Sequence, residues 1–143
     1  MPAAIIFLGY NWLHFLRDYG YCGILADDMG LGKTLQTISF LCFMEEKDSA
    51  AKFLITCPSS LIYNWKQEIE QFAPHLKVYV HHGTSRNFED FMLGDYQVII
   101  TGYATLRNDI EQMQAPFWDA IVLDESHSIK NIHAKTTKAV YQL

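Results

Sequence analysis

Gly23-Ile24-Leu25-Ala26-Asp27-Asp28-Met29-Gly30-Leu31-Gly32-Lys33-Thr34-Leu35-Gln36-Thr37-Ile38 is the stretch from which the fold is read. Gly23 to Ala26 form a short apolar run that suits a strand. Leu35, Ile38, Leu41 and Cys42 fall on one face of a helix that opens just after the glycines. Gly30 and Gly32 let backbone N–H groups curl around a phosphate with no Cβ in the way. The helix N-terminus adds its partial positive charge. Lys33 is placed to reach the β- and γ-phosphates, and the Thr34 hydroxyl to bind Mg²⁺. Strand, glycine loop, lysine and helix in this order make a phosphate loop. Its nucleotide-binding residues are Asp27, Asp28, Met29, Gly30, Leu31, Gly32, Lys33 and Thr34. The strict pattern has glycine six positions before the lysine, where this chain has Asp27. The bland alternative is a glycine-rich helix start with an exposed lysine.

Outward from the loop, short apolar runs alternate with helical patterns. The runs are 53–56, 78–80, 98–101 and 120–123, near-continuous rather than alternating, as strands covered on both faces are. Leu61, Trp65, Ile69 and Phe72 share a helical face. Weaker helical patterns cover 103–112 and 133–142, and an opening helix covers about 5–17. Strand–helix alternation predicts an α/β fold, a parallel sheet with helices on both faces and right-handed crossovers.

A second site follows the last run, in Trp118-Asp119-Ala120-Ile121-Val122-Leu123-Asp124-Glu125-Ser126-His127. A buried strand ending in two acids sets one carboxylate beside the metal at Thr34 and the next toward the γ-phosphate. Asp124 is the candidate Mg²⁺ ligand. Glu125 is the candidate base that orients and deprotonates the attacking water. Acids also cap strands for no catalytic reason; the phosphate loop upstream makes the pair a site.

The 143 residues are 50% hydrophobic and 19% charged, which excludes a disordered or linker composition and allows one domain or part of one. The net charge of -5 argues against a broad basic face for nucleic acid. Any such contact must be local and made of backbone amides and hydroxyls. Cys22, Cys42 and Cys57 lack CxxC spacing and read as reduced, buried thiols of an intracellular protein. The apolar stretch 3–16 is too short to span a membrane and has no cationic leader. His81, His82, His127 and His133 lack partners at ligand spacing, so no structural zinc is expected.

These residues together resemble the SWI/SNF family of helicase superfamily two, the DNA-stimulated ATPases and translocases. The stretch 23–38 is similar to that family's motif I, including Asp27. Leu54-Ile55-Thr56-Cys57-Pro58-Ser59-Ser60-Leu61-Ile62-Tyr63-Asn64-Trp65 resembles motif Ia. Val98-Ile99-Ile100-Thr101-Gly102-Tyr103-Ala104-Thr105-Leu106-Arg107 resembles motif Ib. Asp124-Glu125-Ser126-His127-Ser128-Ile129-Lys130-Asn131 resembles motif II, a DExH box with Ser126 where the family usually has alanine. The likeness spans about 9–143. Where the family carries a glutamine that reads the adenine edge, this chain has Ile6.

The resemblance implies a P-loop NTPase (RecA-like) lobe, incomplete because motif III and a second lobe with its arginines are expected beyond it. It implies ATP and Mg²⁺ as cofactors and the backbone of duplex DNA, read without sequence preference, as a partner. It gives Lys33 and Glu125 catalytic roles, Thr34 and Asp124 the metal, and His127 the coupling of the ATP site to neighbouring motifs. It places Ser59, Ser60, Thr101 and Tyr103 at strand ends that touch DNA, where hydroxyls and free amides suit phosphate. Ser59 and Ser60 read equally as helix caps. Trp65 reads as core, and Lys130 and Asn131 as either contact or solvated turn. A cytoplasmic or nucleoid location is expected in a bacterium and a nuclear one in a eukaryote. A compact P-loop kinase or GTPase would need an acceptor lid or base-recognition motif, and neither is found. The other reading is a truncated, non-catalytic fragment that binds nucleotide weakly or not at all.

Overall fold

A computed structural model describes residues 2–25, 32–131 and 133–143, with side chains described from Leu8 onward except Ser128. Four strands, β1 (Phe53–Cys57), β2 (Val78–His81), β3 (Val98–Gly102) and β4 (Ala120–Leu123), form one parallel sheet in the order β2-β3-β1-β4. Phe53 stands opposite Val98 and Ala120, and Thr56 opposite Thr101 and Leu123, so the C-terminal ends of the strands are level. Seven helices are described: α1 (Pro2–Asp18), α2 (Lys33–Lys47), α3 (Ile62–Phe72), α4 (Phe88–Leu93), α5 (Tyr103–Asn108), α6 (Ile110–Met113) and α7 (Lys135–Val140).

The period-two alternation of the strands splits the core into two layers. Phe53, Ile55, Cys57, Val98 and Ile100 face Ile38, Leu41 and Met44 of α2 and Ile62, Trp65 and Ile69 of α3. Leu54 and Ile99 point the other way, onto Phe88 and Phe91 of α4, Leu106 of α5, Met113 of α6 and Trp118. Every residue of β1 and β3 is buried. Each large apolar side chain so buried contributes about 1.5–3 kcal/mol, which is why these runs carry almost no polar residue. The α/β architecture with helices on both faces is therefore the one the apolar runs predict.

The strand expected over 23–26 is the exception. Residues 23–25 lie outside the sheet, and β4, the strand that ends in the acidic pair, forms its edge. The chain is instead folded back on α1. The helix ends in a Schellman arrangement, with Gly20 N–H donating to the Arg17 carbonyl at 3.0 Å and Tyr21 N–H to Leu16 at 2.8 Å. A Cβ on Gly23 would fall 2.1 Å from Leu16 Cδ1 and 2.5 Å from the Trp12 ring. A strand needs a neighbour to accept its ladder bonds. Among the described residues, nothing flanks β4 on that side.

The weak helical pattern over 103–112 is broken at Asp109 into α5 and α6. The helix α4 carries no signal in the apolar periodicity. It is started by Asn87, whose side-chain oxygen accepts the Glu89 N–H at 3.1 Å.

Candidate nucleotide site

Helix α2 leads through five residues into the N-terminal end of β1, so it runs back along the sheet. Its own N-terminus, Gly32-Lys33-Thr34, therefore lies toward the C-terminal ends of the strands, where ligands of open α/β sheets bind. Gly32 takes φ 78°, ψ 29° at the helix start, a left-handed conformation that glycine adopts without strain. Gly32 has no side chain to cap this end, and a helix N-terminus carries the partial positive charge that suits an anion. Lys33 and Thr34 are half-buried. Asp27, Asp28, Met29, Gly30 and Leu31 lie outside the described residues. Ile6 lies on α1.

At the same end of the sheet, Asp124 is held from three directions. Its N–H donates to the Thr56 carbonyl at 2.8 Å, carrying the β1–β4 ladder one step past the strand. Its carboxylate accepts from the Trp65 indole N–H at 2.8 Å on Oδ2, and from the Glu125 N–H at 2.9 Å on Oδ1. Its carbonyl accepts from the Tyr103 hydroxyl at 2.7 Å. Among the described residues each carboxylate oxygen has one protein donor and keeps acceptor capacity. Glu125 sits at φ 50°, ψ 48°, the one non-glycine residue with positive φ among those described. Such a conformation costs about 1–3 kcal/mol and clusters at functional sites. The Glu125 carboxylate is exposed, with the His127 ring nitrogen 3.1 Å away in the turn Ser126–Ile129. The Tyr103 phenol is pushed up from its ordinary value, first by burial and then by the charge of Asp124, so it stays a donor. The Cys57 thiol is pushed up to about 12 by burial and Asp124, so it stays neutral.

The fit to a hard cation follows from the donor set. Among the described residues, no three His, Cys, Asp or Glu side chains gather into a metal cluster. A cation at Asp124 would complete its shell with hydroxyl, phosphate and water, which is how Mg²⁺ is held.

Of the other sequence-predicted residues, Ser59 and Ser60 are exposed in a short turn, Ser59–Leu61, ahead of α3. Neither caps that helix, whose first capping position is Leu61. Ser59 Oγ lies over Gly102, 3.0 Å from where a Cβ would stand, so the ends of β1 and β3 meet here. Thr101 is wholly buried and its hydroxyl donates to the His81 carbonyl at 2.9 Å. Thr101 and Tyr103 thus turn their hydroxyls inward, and of the four candidates Ser59 and Ser60 are the exposed ones. Lys130 and Asn131 are exposed. Trp65 is core as expected, at 5% exposure, but its bond to Asp124 joins residues 59 apart in sequence, a pairing that periodicity does not reveal. Cys22 is exposed, which corrects the expectation of three buried thiols; Cys57 is buried and Cys42 half-buried.

A second polar cluster was not visible in the sequence. At the end of β2, His81 Nε2 is 2.8 Å from Asp109 Oδ2, and Arg86 makes a two-pronged bond to the same carboxylate at 2.5 and 3.0 Å. Burial pulls His81 below its ordinary value, against the opposing pull of Asp109, while Arg86 pushes the same way as burial. The bond from Arg86 holds Asp109 below the usual carboxylate range. Both shifts make the unfolded state bind more protons. Stability from His81 is full above pH 6.5, its unfolded value, and is lost as pH falls through the lower folded value. His14, also depressed by burial, acts in the same direction. The melting temperature should therefore fall between pH 7 and 5, and His81→Gln should flatten that fall. An identical pH profile in the variant would show that His81 does not carry it.

The chain is similar to several known proteins. The sequence profile of the SNF2-related domain matches residues 8–143. The chain is 40% identical over 141 residues to YwqA of Bacillus subtilis, assigned as an ATP-dependent helicase/translocase, covering 94% of this chain and 15% of that protein. It is 43% identical over 149 residues to the TATA-binding protein-associated factor mot1 of Schizosaccharomyces pombe, covering 94% of this chain and 8% of that one. Among solved structures, the Sulfolobus solfataricus SWI2/SNF2 ATPase core in complex with dsDNA superposes with a TM-score of 0.87 at 39% identity, over 96% of this chain and 29% of that one.

Proposed function

Because this chain belongs to the SNF2-related domain family of helicase-like ATPases, we propose that it forms the nucleotide-binding part of the first RecA-like lobe of a DNA-dependent ATP hydrolase and translocase. The observation that carries this reading is the immobilised Asp124 beside a strained, solvent-facing Glu125 at the C-terminal end of a parallel sheet. The N-terminus of the Lys33–Lys47 helix is directed to the same end. Lys33 holds the phosphates, while Thr34 and Asp124 are the residues that would hold Mg²⁺. That ion, when bound, neutralises charge on the phosphate oxygens. Glu125 accepts the proton of the attacking water, and His127 orients the Glu125 carboxylate and links it to the following turn. Asp27 to Leu31 complete the nucleotide loop by their resemblance to motif I.

Duplex DNA is the proposed partner, met through its backbone at Ser59 and Ser60, where exposed hydroxyls precede α3. The DNA-bound Sulfolobus core supports this by its likeness over 96% of the chain. The chain spans 15% and 8% of the two relatives above and 29% of the solved core, so movement along DNA is proposed for a longer protein that carries this lobe. An intracellular site of action, nuclear or in a bacterial cytoplasm, follows from that reading. No described helix is long and apolar enough to cross a membrane.

One observation favours a narrower role for the 143 residues alone. Residues 23–25, which lead toward the phosphate loop, lie outside the sheet, and among the described residues no strand flanks β4 on that side. Nucleotide binding by this chain in isolation is then weak. In the two-lobe protein, Lys33→Ala should weaken ATP binding by at least about tenfold, since a hydrogen bond to a charged group is worth about 1.5–3 kcal/mol. Equal affinities of the wild type and the variant by calorimetry would contradict the site.

A further inference from the structure

We infer that Trp65 is a positioning residue for Asp124, and that through it α3 sets how tightly the nucleotide site holds its divalent cation; this rests on the reading of Asp124 as a metal ligand. A buried indole N–H needs an acceptor, and the molecule shows what an ordinary one looks like. Trp118 donates to the Met113 carbonyl, five residues away, at 2.7 Å. Trp65 instead crosses from α3 to a carboxylate 59 residues on. Only 5% of Trp65 is exposed, and it is packed with Ile62 and Ile69 of α3 against the sheet, so its donor is fixed in space.

The consequence for Asp124 is geometric. The indole holds Oδ2 and the Glu125 amide holds Oδ1, so each oxygen is held by one donor. The carboxylate cannot rotate without breaking one of these bonds. Its remaining lone pairs are thus pre-aimed. Outer partners of this kind change metal affinity or activity by about 10–100-fold when removed. Helix α3 begins just past the exposed Ser59–Leu61 turn, and Trp65 lies in its first turns. A hydrogen bond weakens once its length passes about 3.2 Å. A small axial shift of α3, caused by whatever its N-terminus binds, would therefore loosen Oδ2.

The test uses the two-lobe ATPase with Trp65→Phe, Asp124→Asn and the double variant. Calorimetry gives the Mg²⁺ concentration for half-maximal ATP binding. Trp65→Phe should raise it about tenfold, and the double variant should be no worse than Asp124→Asn alone. A Trp65→Phe protein with wild-type Mg²⁺ dependence, beside a shifted Asp124→Asn, would overturn the inference and leave the site reading standing. Wild-type Mg²⁺ dependence in Asp124→Asn would overturn the site reading and the inference with it. Should Trp65→Phe fail to fold, the ¹⁵N indole resonance of Trp65 in the wild type decides. It should move on adding Mg²⁺·ADP while that of Trp118 stays, and an unmoved Trp65 signal overturns the inference.

Discussion

Joined to the second lobe that its family resemblance implies, the chain should hydrolyse ATP about 10³–10⁵ times faster than the 143 residues alone. In-line phosphoryl transfer builds charge on the γ-phosphate, and a positioned arginine that stabilises it is worth about that factor in related P-loop enzymes. On the proposed reading this lobe supplies carboxylates, a lysine and a hydroxyl, and the resemblance puts the arginines in the other lobe. The sheet gives a second reason. β4 is its edge, and residues 23–25 lie outside it. Among the described residues the outer side of β4 has no ladder partner, and Ile121 is 38% exposed on that strand. Open strand edges also favour association between chains. The isolated chain should accordingly melt at low temperature and self-associate in light scattering. A monomeric, cooperatively melting 143-residue chain with turnover near that of the two-lobe protein would contradict this.

Glu125→Gln should keep ATP binding in the two-lobe protein and lower turnover by about 10²–10⁴, the usual contribution of a general base. The amide retains the size of the side chain and leaves Asp124 untouched, because Glu125 reaches Asp124 through its backbone N–H. Binding and chemistry are thus separable at this pair. Asp124→Asn acts differently, since the change falls on the carboxylate that Trp65 and the Glu125 amide hold. It should weaken Mg²⁺-dependent nucleotide binding as well as turnover. Wild-type turnover in Glu125→Gln would assign the base elsewhere.

Four of the strands were legible because their cause is local. Runs such as Phe53-Leu54-Ile55 and Val98-Ile99-Ile100 can only be buried on both faces, and they are. The acidic pair was legible as two carboxylates directly after an apolar run, although that run, β4, is only partly buried, with Ile121 38% exposed, and not the buried strand expected. The strand before the phosphate loop was misread because a strand is a property of two segments. Its apolar residues were seen, but its ladder partner was not among them. The inward turn of the Thr101 and Tyr103 hydroxyls was hidden too, since their acceptors, the carbonyls of His81 and Asp124, lie 20 and 21 residues away. Asp109 breaks the 103–112 pattern, where Arg86 and His81 converge on it across 23 and 28 residues. Pairings at such separations leave no periodic trace.

One coupling is central, between the proposed nucleotide site at Asp124 and Glu125 and duplex DNA proposed to be met near the start of α3. It is tested most directly by ATP turnover of the two-lobe protein as duplex DNA of arbitrary sequence is titrated in. A saturable rise in turnover is predicted, alike for unrelated sequences and weakened by salt because backbone phosphates are the contact. Turnover indifferent to DNA at every concentration would contradict it.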